Sequence, residues 1–218
     1  MAHRSKVQAA PVSYEKELWE SGLELVAGVD EAGRGAWAGP VVAAAVIMPP
    51  GPRVAGVADS KLLTPRQREE LYEEILAVAV AWGVGVVGPQ RIAEINILRA
   101  AHEAMAQAVQ ALDPPADFAL LDGRPPRSFP YPHKAITDGD ARCYSIAAAS
   151  IVAKVWRDRL MQELDARHPG YGFAHHKGYG TRQHREALLS LGPCPEHRLS
   201  FEPLKQLAQG RLALEDRD

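Results

Sequence analysis

The sequence predicts an α/β domain built on a mixed sheet. Two segments rich in Val and Ala, 25–29 and 41–47, stand in hairpin order near the start of the chain. Later segments of strand type alternate with segments whose apolar residues recur at helical spacing. Hairpin strands followed by strands mixed with helices indicate a mixed sheet covered by helices. The 218 residues suffice for one large domain with a buried core, with or without a small appendage.

A capping box marks the first long helix. Thr64, Pro65 and Gln67 combine the capping pattern with proline at the first helical position, which predicts a helix from about residue 65 to about residue 80. The other elements predicted in this half are a helix over 13–20, strands over 25–29, 41–47 and 82–87, and a short helix over 89–95.

The second half of the chain is dominated by an alanine-rich run that begins near Ser145. Alanine favours helix and allows close packing on a sheet, so a long helix is predicted to about residue 167, before Pro169 and Gly170. The other elements predicted here are an amphipathic helix over 97–112, strands over 118–121 and 134–137, a helix capped by Thr181 that reaches residue 191, and a last helix over 201–208.

Composition excludes several classes of protein. The net charge is −2, so a nucleic-acid site has to depend on local patches of charge. Cys143 and Cys194 are too few and too scattered for a disulfide framework or a zinc site, and packing is their simplest role. No apolar run is long enough to span a bilayer, and residues 1–10 lack the apolar core of a signal peptide. We therefore expect a cytoplasmic protein without membrane association.

The stretch 28–40 is the most informative part of the sequence. Asp30 and Glu31 end the first apolar segment, and Gly33 and Gly35 follow. Adjacent buried carboxylates repel each other unless they are paired, hydrogen-bonded or bound to a metal ion. Because successive strand residues point to opposite faces, both carboxylates reach one site only if the strand ends there. A polar hairpin turn that happens to be acidic is the alternative interpretation, which the pattern alone leaves open.

Two further carboxylates follow other predicted elements. Asp122 ends the strand 118–121, and Asp140 precedes the alanine-rich helix. Carboxylates without His or Cys partners suit hard cations such as Mg²⁺ or Mn²⁺. Clusters of this kind hold two metal ions about 3.5–4 Å apart. A single Asp at the end of a strand is more often a solvated cap, so spacing alone supports both interpretations.

Several motifs resemble those of one enzyme family. The string Val29-Asp30-Glu31-Ala32-Gly33-Arg34-Gly35, followed by Ala38-Gly39-Pro40, is similar to the signature of type 2 ribonuclease H, specifically bacterial ribonuclease HII. The other matching motifs are Asp59-Ser60-Lys61-Leu62, Ile95-Asn96-Ile97-Leu98, Leu121-Asp122-Gly123, Gly139-Asp140, the run 145–154, Lys177-Gly178-Tyr179-Gly180-Thr181 with His184, and His197-Arg198 with Ser200-Phe201. The resemblance extends over about residues 27–204. It implies a ribonuclease H-like fold, with a mixed central sheet flanked by helices and a small C-terminal helical segment.

From this resemblance we expect three parts of the chain and a four-carboxylate metal site. The parts are a lead-in helix in 1–22, a catalytic domain in 23–191, and a C-terminal helical segment and tail in 192–218. The catalytic residues and metal ligands implied are Asp30, Glu31, Asp122 and Asp140, with Mg²⁺ or Mn²⁺, two ions when substrate is bound. Asp138 is the alternative to Asp140, which is preferred because it lies at the family's usual distance before the alanine-rich helix.

The resemblance also implies residues that recognise the substrate. Gly33, Arg34 and Gly35 match the family's Gly-Arg-Gly, which reads the ribonucleotide 2′-hydroxyl largely through backbone groups, the group that separates RNA from DNA. A tight turn is the alternative interpretation of these glycines, and both interpretations can hold. Tyr179 matches the tyrosine that stacks beside the same sugar, whereas a lone Tyr between glycines can also be a loop anchor.

Other polar residues carry weaker signals. Lys61 and Lys177, with Arg182, are the predicted phosphate contacts, although any one such cation is more often a solvated surface residue. We reject His175-His176 as a metal-binding pair because adjacent histidines in a loop rarely ligate together, and His184 is equally explained as a helix-surface residue. Ala36-Trp37 departs from the family pattern, where proline and an aliphatic residue are more common.

The activity implied is that of an endoribonuclease. It cuts the RNA strand of RNA–DNA hybrids and nicks duplex DNA on the 5′ side of embedded ribonucleotides, leaving a 3′-hydroxyl and a 5′-phosphate. We expect such hybrids and duplexes as partners of a monomeric protein. One alternative is a non-catalytic hybrid-binding module of the same fold. Another metal-dependent nuclease of this fold class is disfavoured, because it does not need the Gly-Arg-Gly and Lys-Gly-Tyr-Gly elements.

Overall fold

The computed structural model of the chain describes residues 9–51 and 53–208. The expected lead-in before residue 9 and the tail after residue 208 lie outside the described residues. Within them, a 3₁₀ turn spans Ser60–Leu62, and the other elements are α1 (Ser13–Glu20), β1 (Val26–Ala32), β2 (Val41–Ile47), α2 (Pro65–Val78), β3 (Ala81–Val87), α3 (Pro89–Ile95), α4 (Ile97–Gln110), β4 (Phe118–Asp122), β5 (His133–Ile136), α5 (Gly139–Arg142), α6 (Tyr144–Arg167), α7 (Phe173–His176), α8 (Arg182–Leu191) and α9 (Leu204–Ala208).

The strands form one mixed sheet in the order β3-β2-β1-β4-β5. The strands β1, β2 and β3 pair antiparallel as a meander, while β4 pairs parallel with β1 and β5 parallel with β4. Helices cover both faces, with α6 against β1 and β2 on one side and α4 against β3 and β2 on the other. The predicted α/β class with a mixed sheet is confirmed.

Small residues bring the helices unusually close to the sheet. A Cβ added to Gly28 in β1 would lie 2.0 Å from the carbonyl carbon of Ser145 in α6, and one added to Gly85 in β3 would lie 2.0 Å from the carbonyl oxygen of Ala104 in α4. Both approaches bring helix backbone onto strand backbone, so any side chain at either glycine would push the layers apart. The position of α6 relative to β1 is therefore fixed by Gly28.

A buried carboxylate closes the N-terminal end of α6. One oxygen of Glu15 in α1 accepts hydrogen bonds from the Ser145 amide at 2.7 Å and from the Ser145 hydroxyl at 2.8 Å. The Cys143 thiol lies 3.2 Å from the same oxygen, and burial raises its pKa. Negative charge at a helix N-terminus is stabilising, so α1 anchors the long helix, and the buried Cys143 is a packing residue as expected.

Some element boundaries differ from those predicted. The strand β1 continues to Ala32 because it keeps pairing with β2 as far as the Ala32–Val42 pair. The expectation that this strand ends before Asp30 was therefore wrong. The short helices α5 and α7 were not predicted, and the last helix begins at Leu204 instead of residue 201. The capping box of α2 is confirmed, with Thr64 and Gln67 bonded reciprocally.

Within the described part of the chain, none of the helices combines the length and the apolar character needed to cross a bilayer.

The close approach at Gly28 leads to a test of packing. Substituting Gly28→Ala should lower the free energy of unfolding by about 3 kcal/mol or more, because the new methyl group overlaps helix backbone that cannot rotate away. Denaturant titration followed by circular dichroism measures this change. Gly51→Ala is the matched control, because a Cβ there meets nothing within 4 Å. Equal stability of the two variants would contradict this account of the layer contact.

Candidate active site

The proposed acidic residues gather at one edge of the sheet. Val29 of β1 pairs with Leu121 of the parallel strand β4, so Asp30 and Asp122, the next residues of the two strands, lie toward the same edge of the sheet. Asp30, Glu31 and Asp122 all line one cavity of about 310 Å³ at this edge, which we call the central cavity. Both adjacent carboxylates thus reach one site although β1 continues past them.

Asp30 is the most buried of these three carboxylates. One of its oxygens accepts a hydrogen bond from the Glu31 amide at 2.7 Å, and the residue is 7% exposed. Burial first, and then the negative charges of Glu31 and Asp122, raise the pKa of Asp30 well above its usual range. A nearby cation would therefore stabilise the ionised form of Asp30.

Glu31 is paired with Arg34, which lies in the turn Gly33–Gly35, here called the glycine turn. Arg34 donates from its guanidinium to the Glu31 carboxylate at 2.9 Å. Burial raises the pKa of Glu31, and Arg34 opposes that shift without cancelling it. The sequence spacing Glu31-x-x-Arg34 thus supplies charge compensation within one turn.

Asp122 is fixed by the segment that follows β5. Its carboxylate accepts a hydrogen bond from the Gly139 amide at 2.7 Å, and a Cβ at Gly139 would lie 3.0 Å from the same oxygen and 2.7 Å from a methyl group of Ile146. The absence of a Cβ at Gly139 therefore leaves room for this contact. Burial raises the pKa of Asp122.

Asp140 is buried at the start of α5, while Asp138 is exposed. The Lys61 ammonium donates to Asp140 at 2.9 Å and lies 3.8 Å from Asp59. The hydrogen bond with Asp140 raises the pKa of Lys61, yet 78% of the lysine side chain is exposed. Burial beside Lys61 favours Asp140 over Asp138 as the fourth acidic residue.

The donor set suits a hard divalent cation. All four side chains offer carboxylate oxygens, which Mg²⁺ and Mn²⁺ prefer, and their mutual repulsion at Asp30 is what such a cation relieves. Across residues 9–51 and 53–208, no three His, Cys, Asp or Glu side chains are grouped closely enough to hold a metal ion. Lys61 and Arg34 each hold one carboxylate. The residues fit a divalent ion by their chemistry, and the side chains have to close around it.

A buried arginine supports the glycine turn from below. Gly33 has a φ of +93°, and a Cβ there would lie 2.0 Å from the side-chain nitrogen Nε of Arg157. Arg157 donates to the carbonyl oxygens of Pro40 at 3.0 Å, Ala38 at 3.2 Å and Lys177 at 3.0 Å. Only glycine allows the turn to lie directly on the guanidinium, and Arg157 joins that turn to the segment before Tyr179.

A second buried arginine, Arg198, holds the glycine turn and the segment that follows it. Arg198 donates to the carbonyl oxygens of Gly39 at 2.9 Å and Arg34 at 3.0 Å. Burial, followed by repulsion from Arg157, lowers the pKa of Arg198 to about 9. Neither buried arginine forms an ion pair with a carboxylate in the described ranges. Backbone carbonyl groups instead accept from both guanidinium groups, which fixes the direction of those carbonyl groups in this loop. The Nη2 atom of Arg198 is buried without a hydrogen-bond partner among the described residues.

Tyr179 forms one wall of the central cavity opposite the glycine turn. Its ring centre lies 5.5 Å from the guanidinium carbon of Arg157 and 5.9 Å from the ammonium nitrogen of Lys154. The flanking glycines are required, because a Cβ at Gly178 would lie 2.4 Å from the carbonyl oxygen of Ala38 and one at Gly180 would lie 2.3 Å from the Trp37 ring. Trp37, the departure noted in the sequence, therefore packs under the Tyr179 loop.

The four carboxylates, the glycine turn and Tyr179 share one edge of a mixed sheet, and comparison with known proteins identifies this arrangement. The family model described as Ribonuclease HII matches residues 27–203. The chain belongs to the ribonuclease HII family.

Known relatives agree with this assignment. Ribonuclease HII of Pelobacter propionicus is 51% identical over 209 residues, which cover 94% of this chain and 95% of the relative. The crystal structure of ribonuclease H2 from Pyrococcus horikoshii OT3 superposes with a TM-score of 0.70 at 29% identity, covering 85% of this chain and 98% of that one. Bst-RNase HIII in complex with Mn²⁺ has a TM-score of 0.66 at 20% identity over 86% of this chain and 70% of that one, which shows the fold alone.

The basic residues predicted from the ribonuclease HII resemblance are not all brought to the central cavity. Lys61 lines it. Lys177 does not, because its ammonium donates to the Ala174 carbonyl oxygen at 2.6 Å, where burial lowers its pKa. Arg182 lies on the exposed face of α8 and pairs with Glu186 at 3.3 Å. A phosphate contact by Lys177 would require its side chain to leave this position.

Three histidines of this family member form a buried cluster behind Tyr179. The Nδ1 atom of His197 lies 2.9 Å from the Cys194 amide nitrogen and 3.2 Å from the Cys194 carbonyl oxygen. Because an amide always donates, the shorter contact makes Nδ1 an acceptor, so Nε2 carries the proton and donates to Nε2 of His184 at 3.0 Å. His184 then donates from Nδ1 to the Tyr179 carbonyl oxygen at 3.0 Å.

The third histidine holds the neighbouring peptide of the same loop. His176 accepts from the Gly178 amide at 3.1 Å and donates to the Tyr171 carbonyl oxygen at 2.7 Å. His176 and His184 stack with ring centres 4.4 Å apart. All three imidazoles are therefore neutral, and together they position the Tyr179 loop. His184 is buried beneath that loop, so its interpretation as a helix-surface residue was wrong.

Sequence reasoning missed several residues at this site of the ribonuclease HII family member. Ser150, Lys154 and Arg68 also line the central cavity, and Arg157 and Arg198 support it from below. In sequence, Arg157 looks like one more polar residue of an amphipathic helix. One signal was available: His197-Arg198 is among the motifs that match the family, although no role could be assigned to these residues from the sequence.

The neutral histidines predict a dependence of stability on pH. Burial lowers the pKa of His184 and of His197 to about 4, below the value of about 6.5 in an unfolded chain. Between these values the unfolded state binds more protons, so stability falls as the pH falls from about 6.5 to 4. The slope for two such groups approaches 2.7 kcal/mol per pH unit.

Urea titrations across this pH range measure that slope. The raised carboxylate pKa values act in the opposite direction, so the comparison is between the wild type and His197→Gln, which leaves the carboxylates unchanged. The variant should show a shallower loss of stability on acidification. The same pH dependence in both proteins would contradict the assignment of a neutral His184–His197 pair.

The hydrogen bond from His184 to the Tyr179 carbonyl oxygen can be tested with two isosteric variants. His184→Asn places an amide nitrogen near Nδ1 and keeps this bond, whereas His184→Gln places it near Nε2 and loses the bond. We expect KM for an RNA–DNA hybrid to rise about five- to tenfold in the Gln variant and little in the Asn variant, as loss of one hydrogen bond implies. Both should melt at similar temperatures. An equal rise of KM in the two variants would exclude positioning through this bond.

Proposed function

We propose that this member of the ribonuclease HII family, an endoribonuclease that acts on RNA–DNA hybrids, also nicks duplex DNA on the 5′ side of an embedded ribonucleotide. The cut leaves a 3′-hydroxyl and a 5′-phosphate. The observation that carries this proposal is the central cavity, where Asp30, Glu31 and Asp122 lie beside the Gly33–Gly35 turn and Tyr179. Acid residues for hydrolysis and groups suited to sugar recognition thus share one space.

We assign Asp30, Glu31, Asp122 and Asp140 as ligands of two divalent ions, Mg²⁺ or Mn²⁺. When bound, such a pair of ions supplies an activated water and stabilises the leaving oxygen of an in-line displacement. The crystal structure of Bst-RNase HIII holds Mn²⁺, which supports a divalent ion in this fold. Asp30 and Asp140 are buried, and Glu31 and Asp122 are half-buried. This supports the assignment, because carboxylates held together out of water gain from a nearby divalent ion.

The cations beside the carboxylates have a separate role. Lys61 and Arg34 neutralise Asp140 and Glu31, and both also line the central cavity. A phosphodiester placed over the carboxylates offers these two side chains an anionic oxygen. We therefore assign Lys61 and Arg34 to hold the phosphate groups next to the cut, with charge-assisted hydrogen bonds that do not depend on base sequence.

Selection of a ribonucleotide falls to the backbone of the glycine turn and to Tyr179. The carbonyl group of Arg34 in this turn points inward to Arg198, and those of the following segment 38–40 point to Arg157 and Arg198. Among the described residues, the amides of Arg34 and Gly35 have no acceptor, so they are free to meet a ligand. A 2′-hydroxyl both donates and accepts, and DNA has no such group. We assign Gly33, Arg34 and Gly35 to that hydroxyl and Tyr179 to the face of the same sugar.

One copy of the chain suffices for this reaction. All the residues assigned to ions, phosphate and sugar lie on the same edge of one sheet, so we infer that the protein acts as a monomer on its duplex.

Cleavage of defined duplexes tests the proposal. With Mg²⁺ or Mn²⁺, the wild type should nick a DNA duplex that carries one ribonucleotide, at its 5′ side, and leave an all-DNA duplex intact. Asp122→Asn should reduce the rate by at least about 100-fold, because it removes a charged ligand from the ion site. Denaturing gels with size markers report both the position and the rate.

The matched control is Asp138→Asn, which alters an exposed carboxylate two residues from Asp140. This variant should retain the wild-type rate. Cutting of the all-DNA duplex would contradict ribonucleotide selection, and binding without any cut would favour a hybrid-binding module. An active Asp122→Asn variant would overturn the assignment of the ion site.

A further inference from the structure

A second groove leads away from the central cavity. Glu31, Arg34 and Asp122 also line a neighbouring cavity of about 330 Å³, which continues into one of about 720 Å³. The two cavities share Leu98 and Arg124 and run along the N-terminal end of α4. The carboxylates therefore lie between the central cavity on one side and a long groove on the other.

This groove is lined by guanidinium groups from separate parts of the chain. We call it the arginine groove and define it by Arg34, Arg99, Arg124 and Arg127. Arg99 lies on α4, while Arg124 and Arg127 lie on the loop between β4 and β5. These three side chains are exposed, and across the described ranges none of them forms an ion pair.

Neighbouring acids do not neutralise the outer part of the arginine groove. The one carboxylate that lines the larger cavity is Glu103, and it is occupied by Arg91 at 3.0 Å. His102 adds no positive charge near neutral pH, because burial first and Arg34 second lower its pKa. Three cations thus face one groove without acidic partners, in a protein whose net charge is −2.

Such an arrangement selects an anionic ligand of extended shape. Like charges in one groove repel one another, and a row of phosphates relieves that repulsion over its whole length. The planar guanidinium fork matches the geometry of a phosphate better than an ammonium does. The groove also begins at the residues that we assign to the scissile phosphate, so a strand that crosses the carboxylates continues into it.

We propose that the arginine groove binds the sugar–phosphate backbone of the duplex next to the cut, without regard to base sequence or sugar type. This inference rests on the proposed function, because it takes the duplex over the carboxylates as its starting point. Arg99, Arg124 and Arg127 hold phosphates beyond the reacting one, and the central cavity retains the selection of the ribonucleotide.

Salt-dependent binding tests this assignment without any cleavage step. Fluorescence anisotropy in EDTA would give Kd for a labelled DNA duplex with one ribonucleotide and for the all-DNA duplex, across a series of salt concentrations. Each phosphate contact contributes about 0.9 to the slope of log K against log salt. We therefore expect Arg99→Gln and Arg127→Gln each to lower the slope by about 0.9 and the affinity at 0.1 M salt about five- to tenfold, equally for both duplexes.

Two controls separate phosphate binding from general effects of charge or folding. Arg127→Lys should keep the slope, because it keeps the charge. Arg167→Gln removes an exposed arginine from the last turn of α6 and should leave both slope and affinity unchanged. Wild-type melting temperatures are expected throughout, because the substituted side chains are exposed.

An unchanged slope of log K against log salt in the Arg99→Gln/Arg127→Gln double variant would overturn the proposal. It would indicate that the groove binds an acidic partner other than the duplex. A loss confined to the ribonucleotide-containing duplex would also overturn it, because that pattern would indicate sugar recognition. The proposed function fails by a different result, cleavage by Asp122→Asn or cutting of all-DNA duplex, so the two failures are distinguishable.

Discussion

The glycine turn and the loop that carries Tyr179 both depend on the buried guanidinium of Arg157. It binds carbonyl oxygens of the segment 38–40 and of Lys177, and the glycine turn lies directly on it at Gly33. A buried charge without a carboxylate is costly unless its donors are satisfied. The backbone therefore has to adopt the one path that satisfies them. This constraint gives two loops, distant in sequence, a fixed relation to each other.

The carboxylate edge follows the opposite principle. There the protein collects like charges at the end of two parallel strands, and within the described part of the chain Lys61 and Arg34 are the cations paired with them. Gly28 allows α6 to approach this edge closely, and the backbone amide of Gly139 at the start of α5 fixes Asp122. The closely packed backbone around Gly28 and Gly139 holds the carboxylates in place, and their negative charge favours divalent cations and the phosphate groups that such cations bind.

Much of this arrangement could be predicted from sequence. The α/β class followed from the order of the apolar segments, and the Asp30–Gly35 motif indicated the site. The supports could not be predicted, because Arg157 and Arg198 satisfy their charges with carbonyl groups, which every residue carries. The arginine groove could not be predicted for another reason. Arg99, Arg124 and Arg127 form no run of charge in the sequence, and only the folded structure brings them to one groove. Periodicity also gave no sign that β1 would continue past Asp30.

The late position of Arg198 and His197 in the chain has a consequence for biosynthesis. Every strand of the sheet is complete by residue 136 and the core helix α6 by residue 167, so the core can form before residues 168–218 have been made. The carbonyl groups of Arg34 and Gly39 acquire their partner only when Arg198 has been synthesised. A growing chain can thus fold its core before the glycine turn has its full support. Incomplete chains that end before residue 198 lack the hydrogen bonds that hold the carbonyl groups of Arg34 and Gly39.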